Sequence, residues 1–104
     1  AKVIGDVIRG EIGFEGVLLS DDLSMQALQG SFTDRAETAL KAGCDVVLHC
    51  NGVMDEMVAV VGGCDTLNAA ALERVERAAK LKDSPKDFDF EGAQQRLDHL
   101  LAKI

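Results

Sequence analysis

Gly13-Phe14-Glu15-Gly16-Val17-Leu18-Leu19-Ser20-Asp21-Asp22-Leu23-Ser24-Met25 is the stretch that decides the fold. Val17 to Leu19 are apolar without polar alternation, which suits a short parallel strand covered on both faces. Two carboxylates, Asp21 and Asp22, stand at its carboxyl end, and the chain then turns toward helix. In open α/β sheets and in (β/α)8 barrels, that end of a strand is where ligands and catalytic groups gather. Negative charge at the end of a buried strand is costly unless something there uses it.

Upstream of this stretch, Val3, Ile4, Val7, Ile8 and Ile12 fall at helical spacing, with Gly13 as the C-cap. Downstream, Leu23 to Gln29 reads as a short helical turn closed by Gly30. Ser31 or Thr33 caps a helix in which Phe32, Ala36, Ala39 and Leu40 share a face, and Gly43 ends it. Cys44 to Cys50 reads as a second buried strand, and Asn51-Gly52 as a turn. Helix resumes near Val53, with Met54, Met57, Val58 and Val61 as its packed face, until Gly62-Gly63 breaks it. Asp65 or Thr66 caps the next helix, on which Leu67, Ala71, Val75 and Ala78 form a stripe. A last helix carries Phe90, Ala93, Leu97, Leu100, Leu101 and Ile104.

Two strands joined by a helical crossover make a parallel βαβ unit, so the class is α/β. Two strands alone leave both edges bare and the apolar faces without partners. A complete (β/α)8 barrel needs about 250 residues, more than twice the 104 present. The chain therefore reads as the C-terminal portion of such a barrel: its last two parallel strands plus helices. Residues 1–83 hold the strands and their helices. Residues 84–104, opening in the linker Asp83-Ser84-Pro85-Lys86, hold the terminal amphipathic helix.

A net charge of −7 and the lack of a clustered basic run argue against nucleic acid as a partner. The apolar runs are strand-sized, too short to span a bilayer as helix. Cys44, Cys50 and Cys64 are odd in number and lack CxxC spacing, so buried free thiols in a reducing compartment are expected rather than a disulfide framework or zinc site.

The string Gly13-Phe14-x-Gly16-x-Leu18-x-Ser20-Asp21 resembles the nucleophile segment of family 3 glycoside hydrolases. Its continuation Asp22-Leu23-Ser24-Met25 is similar to the bacterial β-N-acetylhexosaminidase branch, as is Ala42-Gly43-Cys44-Asp45-Val46-Val47-Leu48-His49-Cys50-Asn51, which looks like that branch's final barrel strand. The resemblance covers most of residues 1–80. It implies a cytoplasmic enzyme that removes terminal N-acetylglucosamine from peptidoglycan-derived muropeptides with retention, using no metal or organic cofactor. Asp21 is then the nucleophile, attacking the anomeric carbon to form a glycosyl-enzyme that water releases. The branch takes its general acid/base from a histidine on a loop early in the barrel. No matching segment occurs in this chain, so a carboxy-terminal fragment that depends on the remainder of the barrel is expected.

Strand alternation sends Asp21 and Asp22 to opposite faces, and two carboxylates in one pocket would raise one pKa. Asp22 is thus read as a capping or backbone-organising acid. Met25 is either a contact to the sugar or its acetamido group, or a core methionine; Asn51 either lines the pocket mouth or forms the turn. His49 is read as structural, Met54 and Met57 as core, and Asp34 and Arg35 as capping and solvated charge. Two other functions are weighed. A receiver domain uses an acidic pair for magnesium, but needs a phosphoacceptor at the end of a later strand, where this chain has His49-Cys50. A non-catalytic fragment or association module could be built from the same residues.

Overall fold

The computed structural model describes residues 2–103. A π-helical segment, Val3–Glu11, opens the chain, with i→i−5 bonding such as Ile12 N–H to the Val7 carbonyl at 2.8 Å. Gly13 follows with φ +69°, reversing the chain toward strand β1, Leu19–Asp22. The order continues α1 (Phe32–Ala42), β2 (Val46–Leu48), α2 (Met54–Gly62), α3 (Ala69–Lys80) and α4 (Phe90–Leu101). β1 and β2 are parallel, as the βαβ reading requires, and form a two-stranded sheet.

Helix α1 begins as its sequence dictates. Ser31 accepts from the Asp34 N–H while the Asp34 carboxylate accepts from the Ser31 N–H, a capping box. Gly43 ends it at φ +117°, and a Cβ there would lie 2.8 Å from Ile4 Cγ2, so the residue must be small as well as left-handed. α1 packs on α2 through a core of Leu23, Ala36 and Val60, flanked by Phe32, Ala39, Val47 and Cys64. The close approach depends on Gly63, where a Cβ would sit 2.3 Å from the Thr33 carbonyl. Thr33 Oγ1 donates to the Ala59 carbonyl across the same contact at 2.8 Å.

Several expectations are corrected. β1 ends in the two acids as read, but Leu19 is exposed rather than covered, because β1 packs chiefly on β2 at its edge and no helix packs extensively on its face. Leu23 to Gln29 forms turns instead of helix, since the carbonyls a helix would use internally converge on Arg35. Met54 and Met57 are exposed: α2 meets α1 through Val60 and Ala59, which turns the methionines outward. The cap of α3 is Asn68, whose Oδ1 accepts from the Ala71 N–H at 2.9 Å, not Asp65 or Thr66. Leu67 accordingly lies outside the helix and is exposed. The α4 stripe exists but is uncovered, with Phe90 70% exposed; Ile104, placed on it, lies outside the described residues. All three cysteines are free, Cys50 exposed rather than buried. Among the described residues, no helix is long and apolar enough to cross a membrane.

Candidate active site

The register of the sheet slips where the acids stand. Leu19 pairs with Val46 and Asp22 with Leu48, so three steps along β1 match two along β2. The extra residue makes a bulge, a device that re-aims side chains. Ser20 fills the gap in the ladder: its hydroxyl accepts from the Leu48 N–H at 3.0 Å and donates to the Asp21 carbonyl at 2.8 Å. Asp21 is exposed, its Oδ1 accepting from the Asp22 N–H at 2.8 Å, and it makes no ion pair among the described residues.

Asp22 borders the same cleft but is engaged in organising backbone. It accepts from the Ser24 N–H at 2.9 Å, the Ser24 hydroxyl at 2.5 Å and the Cys50 N–H at 3.2 Å. The two Ser24 bonds, more than the Cys50 amide and the nearby His49, hold its carboxyl below the ordinary value. The His49 side chain is buried beside it. Its Nδ1 lies 4.0 Å from Asp22 Oδ1, its Nε2 lies 3.3 Å from Glu56 Oε2, and its ring meets Phe32 edge-on at 5.2 Å. Neither ring nitrogen has a hydrogen-bond partner among the described residues.

Beside β1, a cleft of about 590 Å³ opens between Asp21, the 23–30 loop and the Thr38–Ala42 side of α1. That volume falls in the range of small-molecule sites. Met25 and Leu28 form its apolar wall, so Asp21 and Met25 do come together. Asn51 does not join them. Its Oδ1 accepts from the Val53 N–H at 2.9 Å and its amide donates to Glu56, which makes it the organiser of the turn into α2. Arg35, expected to be solvated, instead lines the cleft and donates to four loop carbonyls.

Sequence reasoning missed one cluster altogether. Asp45, at the start of β2, is buried and accepts from Arg9 Nη2 at 2.8 Å, Arg74 Nη1 at 2.6 Å and the Leu18 N–H at 2.9 Å. Burial pushes its pKa up, but the Leu18 amide and the two guanidinium groups outweigh that and lower it. The partners lie 36 and 29 residues away, so no local pattern announced them. A second cleft, about 510 Å³, lies at this end, but its one buried carboxylate is spent on the arginines. No trio of His, Cys, Asp or Glu side chains able to hold a metal exists among the described residues.

The receiver reading does not survive this geometry. The described sheet has only two strands, and β2 ends in Leu48 with no acidic residue before Asn51.

Residues 1–81 match the sequence profile of the glycosyl hydrolase family 3 N-terminal domain. A protein of Bordetella avium named beta-hexosaminidase is 33% identical over 100 residues, covering 92% of this chain and 27% of its own length. Another of that name, from Stenotrophomonas maltophilia, is 43% identical over 79 residues, 73% of this chain and 24% of its own length. A third, from Nitrosomonas eutropha, is 55% identical over 53 residues, 49% of this chain and 15% of its own length. The chain thus spans about a quarter or less of these relatives.

Proposed function

The chain belongs to the glycosyl hydrolase family 3, and from that membership we propose that it is the nucleophile-bearing part of a longer retaining β-N-acetylhexosaminidase. In this reading residues 1–83 supply the last two strands of a (β/α)8 barrel, and residues 84–104 a linker and terminal helix. The single observation that carries the reading is Asp21, an unpaired, exposed carboxylate at a bulged strand end, beside a cleft walled by Met25. The carboxylate oxygen attacks the anomeric carbon as the glycosidic bond breaks, and an acid from outside this chain protonates the departing oxygen. Water then attacks the same carbon, the former acid removes its proton, and Asp21 leaves as carboxylate with configuration retained.

The substrate is a terminal β-linked N-acetylglucosamine on a peptidoglycan-derived muropeptide. Three free thiols support a cytoplasmic setting, and the charge of −7 fits a protein that binds neither nucleic acid nor anionic membrane. Asn51 acts in this reading through the turn into α2, and Met25 at the sugar. Trapping the full-length protein with a 5-fluoro N-acetylglucosaminyl donor and sequencing the labelled peptide tests the assignment. Label on Asp21 is expected; label on another carboxylate of an active enzyme overturns it.

A further inference from the structure

We propose that Arg35 is the positioning residue for the loop that walls this site, holding Met25 and Leu28 against the cleft while leaving Asp21 unpaired. The kinetic part of this proposal rests on the hydrolase reading above. Arg35 stands in the first turn of α1, whose start is set by the Ser31–Asp34 capping box. Its Nε donates to the Gly30 carbonyl at 3.0 Å. Nη1 donates to Leu23 at 2.8 Å and Met25 at 3.3 Å, and Nη2 to Leu28 at 2.8 Å. Guanidinium has five N–H donors, so nearly all are consumed by one stretch of main chain. Its flat face lies 5.0 Å from the centre of the Phe32 ring, which limits its rotation.

Leu23 is anchored in the core and Ser24 by Asp22, but among the described residues the stretch from Met25 to Gly30 has little else to fix it. Its own main-chain bonds are weak turns, Met25 N–H to Asp22 at 3.3 Å and Leu28 N–H to Met25 at 3.1 Å. Arg35 and Asp21 line the same cleft yet form no ion pair. The cation is turned to carbonyls instead. The strand carrying Asp21 is held by other bonds, from Leu23 N–H to the Leu48 carbonyl at 2.8 Å and through Ser20. Loss of Arg35 should therefore loosen the wall and spare the strand. Lysine cannot substitute, because a compact ammonium lacks the planar fork that reaches four carbonyls at once.

The test uses the full-length protein with Arg35→Lys and Arg35→Ala, assayed on an aryl N-acetylglucosaminide and by hydrogen exchange. In both variants the Met25 and Leu28 amides, the ones hydrogen-bonded in this stretch, should exchange about tenfold faster or more while those of α3 keep their wild-type rates. KM should rise about tenfold with kcat within about threefold, and lysine should give no rescue. Wild-type loop protection, or a wild-type KM in Arg35→Lys, overturns the proposal. So does a fall in kcat and global stability with KM unmoved. If Arg35→Ala fails to fold, Arg35→Lys, which keeps charge and stem, carries both readouts. A wild-type protein that does not cleave the glycoside sinks the hydrolase reading alone, and the exchange rates then decide Arg35.

Discussion

Two aspartates at opposite ends of the same pair of strands have opposite surroundings. Asp45, where β2 begins, is buried and has both oxygens engaged by two arginines and a backbone amide. Asp21, near the end of β1, is exposed, lines a cleft and forms no ion pair among the described residues. The arginine that lines the same cleft, Arg35, spends its donors on carbonyls. A carboxylate saturated with donors locks structure, and its lone pairs are unavailable to a substrate. One left with free lone pairs at a rigid strand end remains available to attack an electrophile. This division follows the separation of stability and chemistry between the two ends of parallel β/α folds.

The contrast can be broken most severely at Asp21. Asp21→Asn in the full-length protein should cut turnover of an aryl N-acetylglucosaminide by about 10^5-fold, or ~7 kcal/mol of transition-state stabilisation, while circular dichroism stays unchanged. Near-normal turnover would end the distinction between the two ends.

Asp45→Asn should do the reverse, lowering stability by about 3 kcal/mol because Arg9 and Arg74 are left partly buried without their counter-ion. Urea unfolding measures it, and an unchanged midpoint would show the cluster to be idle. The pH dependence sharpens the point. Asp45 and Asp22 both have folded pKa values below the ordinary 3.8, so the unfolded chain takes up protons first as pH falls. Their contribution is fully present above about pH 4 and disappears as pH drops through the depressed folded values. The acid-induced fall in the urea midpoint should therefore be shallower in Asp45→Asn than in wild type.

The smallest effect is expected at Ser31→Ala, which removes half of the capping box at the start of α1. A loss of about 1 kcal/mol is expected, read as a lower thermal midpoint. Because α1 also carries Arg35, the loop 23–30 should loosen slightly in parallel; stability loss without that loosening would separate the cap from the wall.

Local signals were enough for much of this molecule. The run Val17–Leu19 and the acids after it marked a strand end and a candidate site, Ser31 and Gly43 bracketed α1, and the residue string around Asp21 and Asp22 pointed to a family that residues 1–81 match. These features are legible because capping, periodicity and motif spacing act over a few residues. What only the tertiary structure decided acts across the chain. The bulge at Ser20, Arg35 turned onto four carbonyls, Asn51 drawn away to Glu56, and Asp45 closed by arginines 36 and 29 residues distant all depend on which groups folding brings within about 3 Å. A side chain's partner is set by spatial proximity, and over such separations the order of residues along the chain does not specify it.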